Sequence, residues 1–473
     1  MKQLQHYIAA LTLTCLMTTA CSSDSYPGIE YEYDTSSEAV NTEQGQVADL
    51  GIPLRVFVNE QSFFAAAALN ETRGTGPFIV PDTTAADSVH YCQSVFRLFA
   101  FRDRPEQQGP FDYVPDYTRR SGDPNDANGN CLIDGTDYTQ GMPAHLKSNH
   151  TGEFQMLRPN LRGDTTLHYS ERYNDLGYRF FAYHIDDAKI LNAQREGSHV
   201  YYDLEIDGTQ DLMIGQSQKL TPKVLDSRHA SVQLTPEQRN KVLNIGNYSS
   251  YASNLGIYPI VDMRRLLARL QFRAYPADES CSLVYIDSIS IYSKYSGRVV
   301  VASRDSSEMD INFDETKRKW FKLKQRRNPS REKELNKDSL GIYSLVDLDY
   351  RDNLVEWNDT MSKDDWSKNK YTVIGADMLV PKDSVFQMTM HYRQLVSYNE
   401  VDPPEERKFK SEFSLPIPHI DSNFDENTGK WCYKPGKVYY VRIAVYGLRK
   451  VGIAEVDLDP WEEGNDLEFE PDD

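Results

Sequence analysis

Val438-Tyr439-Tyr440-Val441-Arg442-Ile443-Ala444-Val445-Tyr446, residues 438–446, decides the class of fold. Tyr439, Val441, Ile443 and Val445 recur at every second position, so they share one face of an extended chain. Gly447 then offers a turn, and Val451 to Leu458 alternates again, which together predict a hairpin. Working outward, the same short apolar runs recur at 95–101, 179–184, 200–206, 212–214, 283–292, 299–302, 371–380 and 385–395. Near the start, Ile52, Leu54, Val56 and Val58 alternate with polar or outward positions, and Pro53 predicts a place at a sheet edge.

Met263 to Phe272 (MRRLLARLQF) fits a short helix and a strand equally. Residues 102–150 are rich in Gly, Asp, Asn and Pro and read as a loop insertion. Lys317 to Lys333 carries nine basic residues around Trp320 and Phe321 and reads as a solvated loop. No repeat of fixed period is present. The expectation is an all-β (mainly β) fold of two β-sandwich domains with long loops. The first spans 51–260, with the insertion at 102–150, and the second spans 261–473.

The N-terminus has a different character. Lys2 precedes a mostly apolar run from Ile8 to Met17, and Thr18-Thr19-Ala20 leads into Cys21. A run of that length suits a signal peptide and is too short to span a bilayer. The small residues before the cysteine resemble the lipobox of bacterial lipoproteins, with Thr18 where that pattern more often has Leu. That likeness implies removal of residues 1–20 and acylation of Cys21; the alternative is an ordinary secretory peptide cut near Ala20. Residues 22–54 hold seven acidic residues and no Lys or Arg, so 21–50 is expected to be a flexible acidic tether.

The net charge of −19 disfavours nucleic acid as a partner. Cys92, Cys131, Cys281 and Cys432 match no zinc spacing and stay open between disulfides and buried thiols. The chain contains no HExxH, GxSxG or Walker A motif and no GxGxxG after a strand, so no catalytic residue is assigned and no enzyme is expected. One segment has ligand-like spacing. Asp126, Asn128, Asn130, Asp134 and Asp137 place side-chain oxygens as in a calcium loop, although Cys131 stands where that loop needs Gly. The alternative there is a plain Asn/Asp/Gly turn without any cofactor.

Several segments, taken in order, resemble the fimbrillin family, the type V pilins of Bacteroidales. They are the lipobox-like start, the strand Ile52 to Asn59, and Glu71-Thr72-Arg73-Gly74. Arg179-Phe180-Phe181-Ala182-Tyr183-His184, Asp211-Leu212-Met213-Ile214-Gly215 and Leu266-Leu267-Ala268-Arg269-Leu270 follow. The last is Tyr433-Lys434-Pro435-Gly436-Lys437-Val438-Tyr439-Tyr440, which runs on to Asp459-Pro460-Trp461. The resemblance implies transthyretin-like domains and an outer-membrane lipoprotein precursor. It also implies assembly by strand exchange after a protease cut, here at Arg73. The strand carrying Ile52, Leu54, Val56 and Val58 would leave, and Leu467 and Phe469 of the C-terminal region would supply teeth for the next subunit. Partners are then other fimbrial subunits, with an accessory or tip role favoured over the stalk by the extra loops. The basic stretch around Trp320 would meet the acidic tail of a neighbour. The competing expectation is a surface lipoprotein that binds a glycan or host protein and never polymerises.

Overall fold

The computed structural model describes residues 52–59, 95–102, 141–147, 152–156, 169, 177–185, 188–196, 199–326, 345–396, 404–426, 428–447 and 451–459. All of them lie in the second of two compact units, Asp49–Asp473. The chain is all-β, as its alternating runs predict. The first strands are β1 (Phe57–Val58), β2 (Phe96–Arg102), β3 (Met142–Leu146), β4 (Phe154–Met156), β5 (Tyr178–Ile185), β6 (Lys189–Glu196), β7 (His199–Glu205) and β8 (Leu212–Ser217). Three helices follow, α1 (Pro222–Arg228), α2 (Pro236–Ile245) and α3 (Ser250–Asn254). Then come β9 (Ile260–Arg265), β10 (Ala268–Pro276), β11 (Val284–Lys294), β12 (Ser296–Ser303), β13 (Ile311–Phe313), β14 (Arg318–Lys322), β15 (Lys324–Arg326), β16 (Leu345–Asp347) and β17 (Leu354–Val355). The last are β18 (Thr372–Val380), β19 (Phe386–Val396), β20 (Glu405–Leu415), β21 (Phe424–Asp425), β22 (Lys430–Trp431), β23 (Val438–Val445) and β24 (Val451–Asp459).

Seven strands form the first sheet in the order β1-β9-β8-β5-β2-β3-β4. Both faces of this sheet are covered, which explains why β5 reads as a run of aromatics without polar alternation. Phe180 and Ala182 face a core shared with Leu98, Met213 and the helical residues Val224 and Val242. Phe181 and Tyr183 face the opposite core, with Phe99, Ile214 and Tyr202. The helices that cover the first face begin at Thr-Pro pairs. Thr221 and Thr235 cap α1 and α2 by accepting bonds from the Val224 and Gln238 amides, with Pro at the first turn of each. Gly246 ends α2 at φ +70°, a left-handed cap that Gly adopts without strain.

A second sheet has the order β13-β12-β7-β6. Two further sheets, β18-β10-β23-β24 and β14-β11-β19-β20, carry the C-terminal half. Tyr439, Val441, Ile443 and Val445 on β23 are fully buried, facing the core with Ile289, Ile291 and Met388. The terminal hairpin forms as the alternation predicts, with β23 antiparallel to β24.

Two expectations change and other readings are resolved. The loop expected at 102–150 contains β3, which pairs with β2 through Phe96 and Ala144. The basic stretch from Lys317 is not a solvated loop but enters two strands, β14 and β15, because Phe321 and Leu323 are buried core residues beneath its charges. The ambiguous 263–272 segment is strand on both sides of Leu266 and Leu267. Pro53 precedes β1, which stands first in its sheet, as the expected edge position has it, and the outer side of β1 is met by an isolated bridge described next. Cys281 and Cys432 are free thiols, both buried.

Candidate assembly site: a strand that closes the sheet

The segment Ile52 to Asn59 lies between the two ends of the first sheet. On one side β1 runs parallel to β9, with Phe57 opposite Ile260. The Phe57 amide donates to Pro259 O at 2.9 Å and the Asn59 amide to Val261 O at 2.9 Å. On the other side Phe57 forms an antiparallel bridge with Glu153, the residue before β4. There the Val58 amide donates to Gly152 O at 2.8 Å and the Phe154 amide donates to Val56 O at 2.8 Å. Since β4 is the last strand of the sheet, these few residues join first edge to last and close the sheet on itself.

The teeth of the strand point inward. Leu54, Val56 and Val58 are 5%, 0% and 2% exposed. They sit among Phe154, Val261 and Met263, and Ile52 packs against the same cluster. Each such side chain contributes roughly 1.5–3 kcal/mol on burial, so the three together stabilise the seated strand by about 6 kcal/mol. The regular ladder covers only two residues, so side-chain burial holds the strand more than backbone pairing does.

Arg55 holds the outward side. Its Nε donates to Glu153 Oε1 at 2.9 Å and its Nη2 to Oε2 at 2.8 Å, a two-pronged pair. Lys147 adds a second cation to Glu153 at 3.0 Å. The guanidinium also lies over the rings of Phe57 and Tyr258, at 5.0 and 4.9 Å. The hydrogen bond to Glu153 raises the Arg55 pKa further above its ordinary value. Burial pushes the Glu153 carboxyl up, but hydrogen bonds from Arg55 and Lys147 outweigh it and hold the group below the usual range. Asn59 adds a bond from Nδ2 to Asp262 Oδ1 at 2.8 Å.

Asp211 and Arg269, each in a segment that carries the family resemblance, are held in buried ion pairs. Arg265, beside the Leu266–Leu267 break, pairs with Asp211 at 3.4 Å, with side chains 3% and 4% exposed. Arg269 pairs with Asp377, also buried. Removing one partner of such a pair costs about 3–5 kcal/mol. The first ties the end of β9 to the start of β8 and the second ties β10 to β18, so both are structural.

The structure brings Ile52, Leu54, Val56 and Val58 together as the sequence predicts. The sequence offered no signal for Glu153, Lys147 and Tyr258, which sit far from Arg55 in the chain. Cys21, Arg73, Leu467, Phe469, Cys92, Cys131 and the calcium-loop residues Asp126, Asn128, Asn130, Asp134 and Asp137 lie outside the described residues. Within the described residues, no group of three or more His, Cys, Asp or Glu side chains is placed to hold a metal, and no helix is long and apolar enough to cross a membrane. Val451 and Ile453 are engaged in β24, opposite Val445 and Ile443 at the edge of their sheet.

The molecule is thus an all-β protein whose first described strand closes its first sheet. No protein-family model matches the chain, and no curated protein matches it by sequence. Among solved structures, a candidate cell adhesion protein from Bacteroides uniformis is similar, with a TM-score of 0.39, 9% identity, and 87% of this chain covering 99% of that one. A fimbrial protein from Bacteroides vulgatus gives a TM-score of 0.33 at 12% identity over 78% of this chain and 93% of that one. The fimbrial anchor protein Mfa2 from Porphyromonas gingivalis gives 0.28 at 10% identity over 86% and 97%. At such identities and TM-scores neither a role nor a residue carries across to this chain.

Proposed function

We propose that the chain is a cell-surface fimbrial subunit, an accessory or tip component, exported as a lipoprotein and assembled by strand exchange. One observation carries the reading. A short strand with buried teeth closes the first sheet, and its departure would leave two facing edges above an apolar groove. A replacement strand with alternating apolar residues fits such a groove by main-chain bonding and side-chain register. In this scheme Cys21 carries acyl chains that hold the precursor at the outer membrane, and a cut after Arg73 frees the Ile52 to Asn59 strand. The donor is the C-terminal region with Leu467 and Phe469. The division into domains 51–260 and 261–473 belongs to the same reading, as does a calcium ion at Asp126 to Asp137.

The experiment is N-terminal sequencing of surface-purified protein combined with electrophoresis after mild detergent. The reading expects a start just after Arg73 and a ladder of oligomers that Val56→Asp leaves intact, because the strand has gone. An N-terminus fixed at Cys21 with monomers only would sink it. That result would support the second reading, a lipid-anchored binder that never polymerises.

A further inference from the structure

The sheet β14-β11-β19-β20 turns one face to the core and the other to solvent. Ile291, Phe321 and Met388 line the inner face and are at most 1% exposed. On the outer face the register aligns Trp320, Tyr292, Gln387 and Ser414 in one row across four strands. The adjacent row aligns Lys322, Ser290, Thr389 and Glu412, the last paired with Lys410 at 2.6 Å. Trp320 is 46% exposed in the middle of a regular strand. Its ring sits 5.3 Å from that of Tyr292, so two aromatic faces are held side by side on rigid elements. Gln387, Ser414 and Lys322 are also exposed.

A pair of rings tilted by 47° and bordered by amide, hydroxyl and ammonium groups suits a sugar. The apolar C–H face of a pyranose packs on the electron-rich face of indole, and its hydroxyls reach the neighbouring polar side chains. Charge narrows the choice. Lys294 and Arg318 are joined to Glu315, whereas Lys322 acts on Asp347 only as a minor charge beside the Lys324 ion pair at 2.8 Å. Lys322 lies two residues along the strand from Trp320, about 6.7 Å away. That is the reach from a stacked ring to a carboxylate carried by the same sugar or the next. Neighbouring strands stand about 4.8 Å apart, so the Trp320–Ser414 row spans about 14 Å, the length of a short oligosaccharide.

We propose that this face binds an acidic glycan, with a sugar ring on Trp320 and Tyr292 and its carboxylate on Lys322. The site is remote in sequence from the closing strand. The test is calorimetry on the full chain with sialyllactose, a hyaluronan oligosaccharide and neutral lactose, for wild type, Trp320→Ala and Lys322→Gln. Thermal melts verify that each variant is folded, and Trp320→Phe serves as the binding probe if the Ala variant is not. The wild type is expected to bind at least one acidic probe at millimolar strength or better. Trp320→Ala should weaken that binding tenfold or more (Trp320→Phe by less), and Lys322→Gln should erase the preference for acidic over neutral sugar. Silence of both acidic probes with wild type overturns the proposal. Equal binding by wild type and the Trp320 variant, or a preference that survives Lys322→Gln, overturns it as well.

Discussion

Replacing Glu153 by Ala tests how the closing strand is held. The substitution removes both hydrogen bonds that Arg55 makes to the carboxylate and the contact with Lys147. Breaking a fully buried pair costs about 3–5 kcal/mol, and hydrogen bonds to charged groups are worth roughly 1.5–3. The Arg55 side chain is 41% exposed and regains water when its partner is lost. The expected loss is therefore near the low end, about 2 kcal/mol, drawn from the strand and not from the whole fold. At about 1.4 kcal/mol per tenfold change, local opening becomes roughly thirtyfold more frequent. Hydrogen exchange read by mass spectrometry reports this directly. The amides of Phe57, Val58 and Asn59 should exchange about thirtyfold faster, while those of β5 keep their wild-type protection. The pH dependence has a defined sign. The Glu153 pKa is depressed in the folded chain, so the pair stabilises fully above the ordinary carboxylate range and is lost as pH falls through the depressed value. Acidification should loosen the strand in wild type and have no such effect in the variant. Wild-type exchange rates at β1 in Glu153→Ala would refute the idea that this pair holds the strand.

Other expectations rest on separate features. Burial, with smaller contributions from Asp278 and Glu356, pushes the Cys281 thiol up to about 12, so iodoacetamide at pH 8 should leave it unmodified until the chain is unfolded. Burial and then Arg228 lower the His229 pKa to about 4. Its folded value lies below its unfolded one, so its contribution is present above about pH 6.5 and is lost as pH falls towards 4; urea midpoints should drop across that window and flatten in His229→Gln. Gly447 sits at the turn of the last hairpin, where an added Cβ would collide with the Ser280 carbonyl oxygen, and its amide donates to Ser280 Oγ at 2.9 Å. Gly447→Ala should destabilise by about 1–3 kcal/mol, seen as a lower melting temperature.

Period-two alternation made the strands legible wherever one face is buried, as at Tyr439 to Val445. It also revealed the teeth of the first strand, because Leu54, Val56 and Val58 all turn to one side. Alternation failed where tertiary contacts decide. β20 (EERKFKSEFSL) carries so many charges that it reads as a loop, yet Phe409 and Phe413 pack against the core and their neighbours stay in solvent. β3 sits in a stretch rich in Gly, Asp, Asn and Pro and forms because β2 offers it an edge. The helices left a signal that alternation does not detect: Thr221-Pro222, and Thr235-Pro236-Glu237-Gln238, which forms a full capping box. The hold on Arg55 was invisible for a different reason. Glu153 is 98 residues away, and nothing local marks it as a partner.

The closure made by β1 also bears on how a chain exported as proposed above would survive transit. An exposed sheet edge is a template for any passing strand, and exported proteins cross crowded compartments before reaching their place. With β1 seated, both ends of the seven-stranded sheet are occupied by the chain itself, so that sheet gives stray strands no foothold. On β20 the alternating charges, Lys408 beside Glu406 and Lys410 beside Glu412, make a second edge unattractive to apolar segments. In the assembly proposed above, stickiness would stay latent until the first strand is withdrawn, and the moment of withdrawal, not the supply of subunits, would set when the molecule becomes adhesive to its own kind.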